Sequence, residues 1–211
     1  NNTDDTVSKV DTKEGKEVGE YRVCDDPSRT AVDSNGSVWV ACRNESQIAI
    51  IAAHETYCID KDGNGTIETS TDLNADGSIA EDEILPKGED ECVVYLGSPL
   101  FPDENQTLWE KYNVGGCGNL GLRGLAVVAE NLAWVGSLCT VTSCGCSDWG
   151  CCGQYPGDMW LMEYQYDPLQ DVAAGQNPRV VVKETIHTGM DKHYGFALDQ
   201  EGIIWVSTVL E

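Results

Sequence analysis

Basic side chains are scarce in this sequence. Its 211 residues include 13 Lys and Arg against 36 Asp and Glu, which gives a formal net charge of -23. Nucleic-acid binding needs Lys and Arg clustered against phosphates, so the composition argues against such a partner. No apolar run approaches the roughly 20 residues of a membrane-spanning helix. The excess of carboxylates is instead typical of a protein that holds divalent cations.

Histidine is also rare, with three residues, whereas cysteine is abundant, with ten. We interpret the cysteines as disulfides formed in an oxidising compartment, and we therefore expect an extracellular or cell-surface protein. The sequence begins at Asn1 without a methionine or a signal-peptide pattern, which we interpret as a processed or partial product.

Two cysteine pairs are predicted from their positions. Cys58 and Cys92 flank an acidic stretch, and Cys24 and Cys42 flank a predicted hairpin. The connectivity of the other six is open, and a zinc site formed by the last four is an alternative, although their C-x-C-x4-C-C spacing lacks C-x2-C pairs. These six are Cys117, Cys139, Cys144, Cys146, Cys151 and Cys152.

Three segments of the chain resemble one another. They read RTAVDSNGSVWVACR, RGLAVVAENLAWVGS and YGFALDQEGIIWVST, and they begin at Arg29, Arg123 and Tyr194. Each reads as a strand, a polar turn and a second strand centred on a tryptophan. The tryptophans are Trp39, Trp134 and Trp205. Such self-similarity indicates a repeat architecture.

Six further segments have strand character, which brings the total to twelve strands in three sets of four. Recurring four-stranded antiparallel units are the blades of a β-propeller, so we predict an all-β fold with about three blades' worth of strands. A closed propeller needs about 4–8 blades, so we expect either a longer polypeptide or half-blades completed by another copy. A β-sandwich is the alternative. The predicted parts are propeller strands over 1–57, a disulfide-closed insertion over 58–92 and propeller strands over 93–211, with a Cys-rich loop at 139–154.

The segments VSKVDTKEGKEVGEYRV, DPSRTAVDSNGSVWVACR and HYGFALDQEGIIWVS resemble the NHL and virginiamycin B lyase-like propellers. In those families a G-x-A-x-D-x-x-G-x-x-W-V hairpin opens each blade. The resemblance covers about half of the chain and implies the fold more than the chemistry, because propellers host unrelated functions. The lyase resemblance implies a catalytic histidine near a metal, for which His193 is the candidate. No second His or Glu follows it at a matching offset.

The segment from Asp72 to Glu83 has the full ligand pattern of an EF-hand calcium loop. Side-chain oxygens at positions 1, 3 and 5 converge only if the backbone curls tightly, which a glycine at position 6 permits. Position 7 supplies a carbonyl, position 8 an apolar anchor and position 12 a bidentate carboxylate. These seven positions are Asp72, Asn74, Asp76, Gly77, Ser78, Ile79 and Glu83.

A second copy of the pattern precedes it by twelve residues. Its first nine positions match, through Asp60, Asp62, Asn64, Gly65, Thr66, Ile67 and Glu68. Position 12 is Thr71, which is not an acid. We expect Asp72 to be shared between two ions, or Glu68 to bind directly as in thrombospondin type 3 repeats, which this spacing resembles. The sequence thus predicts two calcium ions.

The two loops abut and leave no room for the flanking helices of a calcium sensor, so we interpret the calcium as a structural staple. The predicted function is a calcium-stabilised propeller in an extracellular assembly (a filament, surface layer or adhesin), by self-association or within a longer chain. One alternative is a fragment of a propeller lyase or lactone hydrolase. Another is glycan binding through exposed tryptophans. The candidates for that role are Trp109, Trp149 and Trp160.

Overall fold

The computed structural model describes residues 4–112, 121–137, 157–166, 171, 176–190 and 192–208. These residues form strands with one short α-helix, so the all-β prediction is confirmed. The strands are β1 Thr6–Asp11, β2 Lys16–Arg22, β3 Pro27–Val32, β4 Val38–Cys42, β5 Ile48–Ile51, β6 Val93–Gly97, β7 Leu100–Phe101, β8 Gln106–Thr107, β9 Leu122–Ala129, β10 Leu132–Ser137, β11 Asp158–Gln165, β12 Arg179–His187, β13 His193–Leu198 and β14 Ile204–Thr208. Helix α1 spans Leu108–Tyr112.

The strands form two larger sheets and two hairpins. An amino-terminal hairpin, β1–β2, precedes the first sheet, an antiparallel meander in the order β3-β4-β5-β6. The second sheet has the order β8-β7-β12-β11-β10-β9, and a carboxy-terminal hairpin, β13–β14, follows it. No helix within the described ranges has the length and apolarity needed to cross a membrane.

The twelve predicted strands all form, but their grouping differs from three sets of four. The two-residue strands β7 and β8 were not predicted, and β7 joins β12 in parallel at Leu100 and Val181. The second set therefore has six strands. The third set stays divided, because in the described part of the chain β1–β2 and β13–β14 are separate two-stranded sheets.

The turn of the first tryptophan hairpin is built around one aspartate. Asp33 Oδ1 accepts the backbone N–H groups of Asn35 and Ser37, both at 2.9 Å. Its other oxygen accepts the indole N–H of Trp39 at 3.4 Å. The side chain thus satisfies turn amides and tethers the tryptophan, whose buried N–H would otherwise lack an acceptor.

The carboxy-terminal hairpin repeats this arrangement at the same spacing. Asp199 Oδ1 accepts the backbone N–H groups of Glu201 at 3.1 Å and Ile203 at 2.9 Å. Asp199 Oδ2 accepts the indole N–H of Trp205 at 2.8 Å. The similarity read from the sequence is therefore a similarity of hydrogen bonding. The middle repeat departs from it, because Val128 stands six residues before Trp134.

The units follow one another in space as they do along the chain. Strand β9 contacts β3 and β4 of the first sheet, and β13 contacts β9 and β10 of the second. At the second contact, Phe196 lies against a glycine surface, because a Cβ at Gly124 would come within 2.7 Å of its ring. The core continues from the first sheet to the second. Its largest fully buried side chains include Trp39, Ile48, Ile50, Leu122, Trp160 and Met162.

We predict that Asp33→Ala destabilises the protein by about 1–3 kcal/mol, because it leaves the N–H of the fully buried Trp39 without its acceptor. Asp199→Ala is the matched control. It removes the same three bonds around a tryptophan that is 65% exposed, where water replaces them. Urea denaturation measures both free energies of unfolding. Equal losses would contradict the assignment of the cost to burial.

Candidate metal centre

The predicted calcium-binding stretch forms an insertion between strands β5 and β6. Two short 3-10 helices, Glu55–Tyr57 and Glu81–Glu83, are its regular elements. The Cys58–Cys92 disulfide closes its base, with the two Cα atoms 4.4 Å apart. The Cys24–Cys42 pair also forms as predicted, with a Cα separation of 5.8 Å. The other six cysteines, and the possible zinc site among them, lie outside the described residues.

The first loop curls around its leading aspartate. Asp60 accepts the backbone N–H groups of Gly63, Asn64 and Gly65, at 2.7, 3.1 and 2.8 Å. Asp62 Oδ1 accepts the N–H of Asn64 at 2.9 Å. In the same way Asn64 Oδ1 accepts the N–H of Thr66 at 2.7 Å, so the side chains at positions 1, 3 and 5 all turn inward.

The second loop repeats four of these five bonds. Asp72 accepts the N–H groups of Asp76 at 3.1 Å and Gly77 at 2.8 Å. Asn74 Oδ1 accepts the N–H of Asp76 at 2.8 Å, and Asp76 Oδ1 accepts that of Ser78 at 3.0 Å. The position-6 glycine has a positive φ in each loop, 86° at Gly65 and 93° at Gly77, which a side chain would disfavour.

The acid at position 12 closes the second loop. Glu83 Oε1 accepts the N–H of Leu73 at 2.9 Å, and Oε2 accepts that of Ala80 at 2.9 Å. The bonded amides belong to positions 2 and 9. Glu83 is 7% exposed, so its carboxylate is held inside the loop rather than in solvent.

In the first loop, Glu91 takes the role of the acid at position 12, where the sequence has Thr71. Glu91 Oε1 accepts the N–H of Lys61 at 2.6 Å, and Oε2 accepts that of Glu68 at 2.9 Å. These amides are again positions 2 and 9, so Glu91 is the structural counterpart of Glu83. It is 2% exposed. Carboxylate oxygens of Asp60, Asp62 and Glu91 lie within 4.8 Å of one another.

Glu91 was not predicted, because it follows Asp60 by 31 positions and belongs to no loop motif. The disulfide brings it there: Cys92 is its neighbour, and Cys58 stands two residues before Asp60. The backbone reinforces the contact, because Ile59 donates to the Glu91 carbonyl at 2.9 Å. An acid beside a paired cysteine is the sequence signal that could have found it.

Glu68 and Asp72 are the other expected acidic ligands of the first loop. Glu68 Oε1 accepts the Asn64 side-chain N–H at 3.0 Å, so this carboxylate is close to position 5. Asp72 makes the bonds of its own loop. Thr66 and Ser78 stand at position 7 of their loops, where the backbone carbonyl is the expected ligand.

Hydrogen bonding favours the ionised form of Asp60 and Asp76. The N–H of Gly65, with those of Gly63 and Asn64, lowers the pKa of Asp60 below its usual value. Hydrogen bonds from the hydroxyl and N–H of Ser78 lower the pKa of Asp76 in the same way. Ionised carboxylates and amide carbonyls are the hard oxygen ligands that Ca²⁺ prefers.

A buried aspartate joins the two loops. Asp90 is 1% exposed, and its Oδ2 accepts both the N–H of Ser70 at 2.8 Å and its hydroxyl at 2.6 Å. Its other oxygen accepts the N–H of Cys92 at 2.9 Å. Ser70 lies between the loops, so Asp90 fixes their junction to the disulfide.

The insertion also contacts the amino-terminal hairpin. Glu20 in β2 donates its N–H to the Ser70 carbonyl at 3.4 Å, and Arg22 forms an ion pair with Glu81. On the first sheet, Lys87 pairs with Glu45 at 2.9 Å. The two loops thus connect the outer edge of β2 to the β4–β5 turn.

The catalytic candidate His193 is inaccessible. It is 0% exposed, its Nε2 lies 2.8 Å from the Thr188 hydroxyl, and burial lowers its pKa. His187 is exposed, and its Nδ1 lies 2.7 Å from a carboxylate oxygen of the buried Asp158. The two histidines therefore differ in surroundings, and His193 packs edge-to-face on Phe196.

The tryptophans predicted to bind glycans differ in their exposure. Trp160 is fully buried, so its assignment as an exposed stacking platform is wrong. It lies in the middle of the second sheet, in contact with the ring of Tyr112. Trp109 in α1 is 38% exposed, and Trp149 lies outside the described residues.

No protein-family model matches the chain, and no curated protein matches it either.

We predict that replacing Cys58 and Cys92 together by serine lowers the free energy of unfolding by up to about 4 kcal/mol, the loop-closure value for this separation. It also releases Glu91, so hydrogen exchange at the Lys61 and Glu68 amides accelerates. The Leu73 and Ala80 amides, held by Glu83, serve as the internal control. Unchanged exchange at Lys61 would show that the disulfide does not position Glu91.

Proposed function

We propose that this chain is a calcium-stabilised structural protein of the cell surface or extracellular space, whose sheets are arranged as propeller blades. The observation that supports it is the matching position of Glu83 and Glu91 in the two loops. Each accepts the amides of positions 2 and 9 of its loop, and in the first loop the carboxylates of Asp60, Asp62 and Glu91 lie within 4.8 Å of one another. The disulfides favour an oxidising compartment, where free calcium is also abundant enough for modest sites.

Calcium would act here as a staple. The insertion contributes few side chains to the core and carries a dense cluster of carboxylates that repel one another. Each ion cancels two negative charges of a chain at -23 and, at a hundred times Kd, contributes about 2.7 kcal/mol to the bound fold. Through Ser70 and Glu81, the same stabilisation reaches the amino-terminal hairpin.

The propeller arrangement is supported by the order of contacts. The first strands of three successive units, β3, β9 and β13, are neighbours in that order, as the inner strands of propeller blades are. From this strand, each unit continues as an antiparallel hairpin or meander, to which the second unit adds β7 in parallel.

We predict that the protein binds two Ca²⁺ ions and that Glu91→Gln and Glu83→Gln each abolish or weaken one site about 10-fold or more, because a bidentate carboxylate is lost. Native mass spectrometry counts the ions, and calorimetry measures the affinities. Glu89→Gln, on an exposed side chain two residues before Glu91, is the matched control. Two ions of unchanged affinity in Glu91→Gln would remove Glu91 from the site, and no binding by the wild type would overturn the proposal.

Self-association is a further part of the proposed function, and the exposure of Trp205 favours it. Trp39 is fully buried and its counterpart Trp205 is 65% exposed, although both are tethered by an aspartate in the same way. Phe196 pairs with Val206 and faces the second sheet, so Trp205, on the next residue, faces away from it. Among the described residues, no further strand therefore covers the face of β14 that carries Trp205.

The first sheet presents the matching surface. Val32 pairs with Val38 on the face opposite Trp39, and it is 61% exposed. The amino-terminal hairpin covers this face only in part, through Val7 and Tyr21. In the proposed assembly, β13–β14 of one copy lies beside β1–β2 of the next, and Trp205 covers Val32.

This contact is head-to-tail, which gives it a distinctive test. We predict that Trp205→Lys and Val32→Lys are each monomeric by light scattering in calcium, whereas the wild type and Trp109→Lys associate. Because each variant keeps one intact face, their mixture should form a species of two chains. A monomeric wild type with calcium bound would remove the assembly and leave the calcium sites standing.

A further inference from the structure

Three arginines of this acidic chain come together at one place. Arg29 lies in β3 and Arg123 in β9, and Arg43 follows β4. Arg29 and Arg123 converge on Tyr194 in β13, with their guanidinium carbons 4.5 and 5.1 Å from the ring centroid, and Arg43 is close enough to Arg123 to repel it. With 13 basic residues against 36 acidic ones, such a concentration of positive charge is unexpected by chance.

The repeat explains why these residues meet. Arg29, Arg123 and Tyr194 are the first residues of the three similar hairpin segments. Because β3, β9 and β13 are neighbours, equivalent positions near the starts of these strands come together. Two repeats supply an arginine there, and the third supplies a tyrosine.

Within the described residues, no carboxylate neutralises Arg29 or Arg123: Asp26 forms an ion pair with Arg43, but no described carboxylate forms one with the other two. The Arg29 guanidinium donates to the carbonyl of Ser28 at 2.9 Å and to the Tyr194 hydroxyl. The Nε atom of Arg123 is buried and has no hydrogen-bond acceptor among the described residues, so this guanidinium has unused donor capacity.

The electrostatics of the cluster agree with the geometry. Burial, followed by repulsion from Arg43, lowers the pKa of Arg123. A hydrogen bond and the charge of Arg29, followed by the charge of Arg123, lower the pKa of Tyr194. Tyr194 is 37% exposed, so an anion in solvent can reach the side chain at which the two arginines favour negative charge.

We propose that Arg29 and Arg123, supported by Arg43 and Tyr194, form a binding site for an oxyanion. The ligand class is a carboxylate or sulfate group, whose paired oxygens match the planar N–H fork of a guanidinium. Both arginines bind the same group, and Arg43 adds positive field while it remains paired with Asp26. The guanidinium groups of Arg29 and Arg123 both lie close to the Tyr194 ring, so recognition is by charge and hydrogen bonding.

The test is a titration of the full calcium-loaded chain with two probes, sodium sulfate and glucuronate, followed by NMR of the arginine Nε–H groups. Methyl glucoside is the uncharged control. We expect the Arg29 and Arg123 signals to shift with at least one probe, and binding to weaken as sodium chloride is added. Binding of sulfate alone would indicate a free inorganic anion, and binding of glucuronate an acidic sugar.

Substitutions identify the site. We expect Arg123→Gln and Arg29→Gln each to weaken binding about 10-fold or more, because a charge-assisted bond is lost. Arg179→Gln, which removes an exposed arginine bonded to Gln165, is the matched control. Arg29→Gln keeps the test decisive if Arg123→Gln does not fold. Absence of binding by the wild type, or equal weakening in Arg179→Gln, would overturn the proposal.

A second readout separates this site from general attraction to a positive surface. A bound anion opposes the field of the two arginines, so the pKa of Tyr194 should rise toward its ordinary value. The Tyr194 phenol carbon, assigned with Tyr194→Phe, reports this titration by NMR. An unchanged Tyr194 titration at saturating probe would place the anion elsewhere.

Discussion

The acidic insertion depends on one covalent constraint, the Cys58–Cys92 bridge, which places the Glu91 carboxylate opposite Asp60. In the first loop three side chains turn inward, and Glu91, the neighbour of Cys92, is the acid that closes it. With it, the loop acquires the same two amide bonds that Glu83 makes in the second loop. A segment with few core residues thereby gains a fixed shape. Strand β2 contacts this insertion through the hydrogen bond from the Glu20 N–H to the Ser70 carbonyl.

The sequence predicted local features of the site and missed the one that comes from tertiary structure. Spacing alone located the inward turns of Asp60 and Asp72, because each bond there spans at most five residues. Glu91 could not be found by spacing, since its distance from Asp60 along the chain is set by the whole insertion. The ligands that spacing does suggest, Glu68 and Asp72, are both close to the first loop along the chain.

For the fold as well, the sequence predicted the local features but not the packing between units. The Trp hairpins and the all-β class follow from turn chemistry and alternation, both of which are local. Burial of each tryptophan does not, because Trp39 and Trp205 have the same bonds and opposite exposure. The parallel contact of β7 with β12 and the burial of Trp160 and His193 also depend on which unit packs against which. Pattern reasoning that treats all three histidines or all exposed-looking tryptophans alike cannot separate them.

The repeat also explains how one acidic chain can offer sites of opposite charge. Carboxylates are concentrated in the insertion between β5 and β6, at the edge of the first sheet formed by its last strand. Arg29 and Arg123 lie on the first strands of their units, where neighbouring units meet, and β3 is the edge of the first sheet opposite β6. The insertion and the arginine cluster therefore belong to opposite edges of the first sheet. Because the repeat brings equivalent positions of neighbouring strands together, an arginine at that position in two of the three units is enough to form the pair at Tyr194.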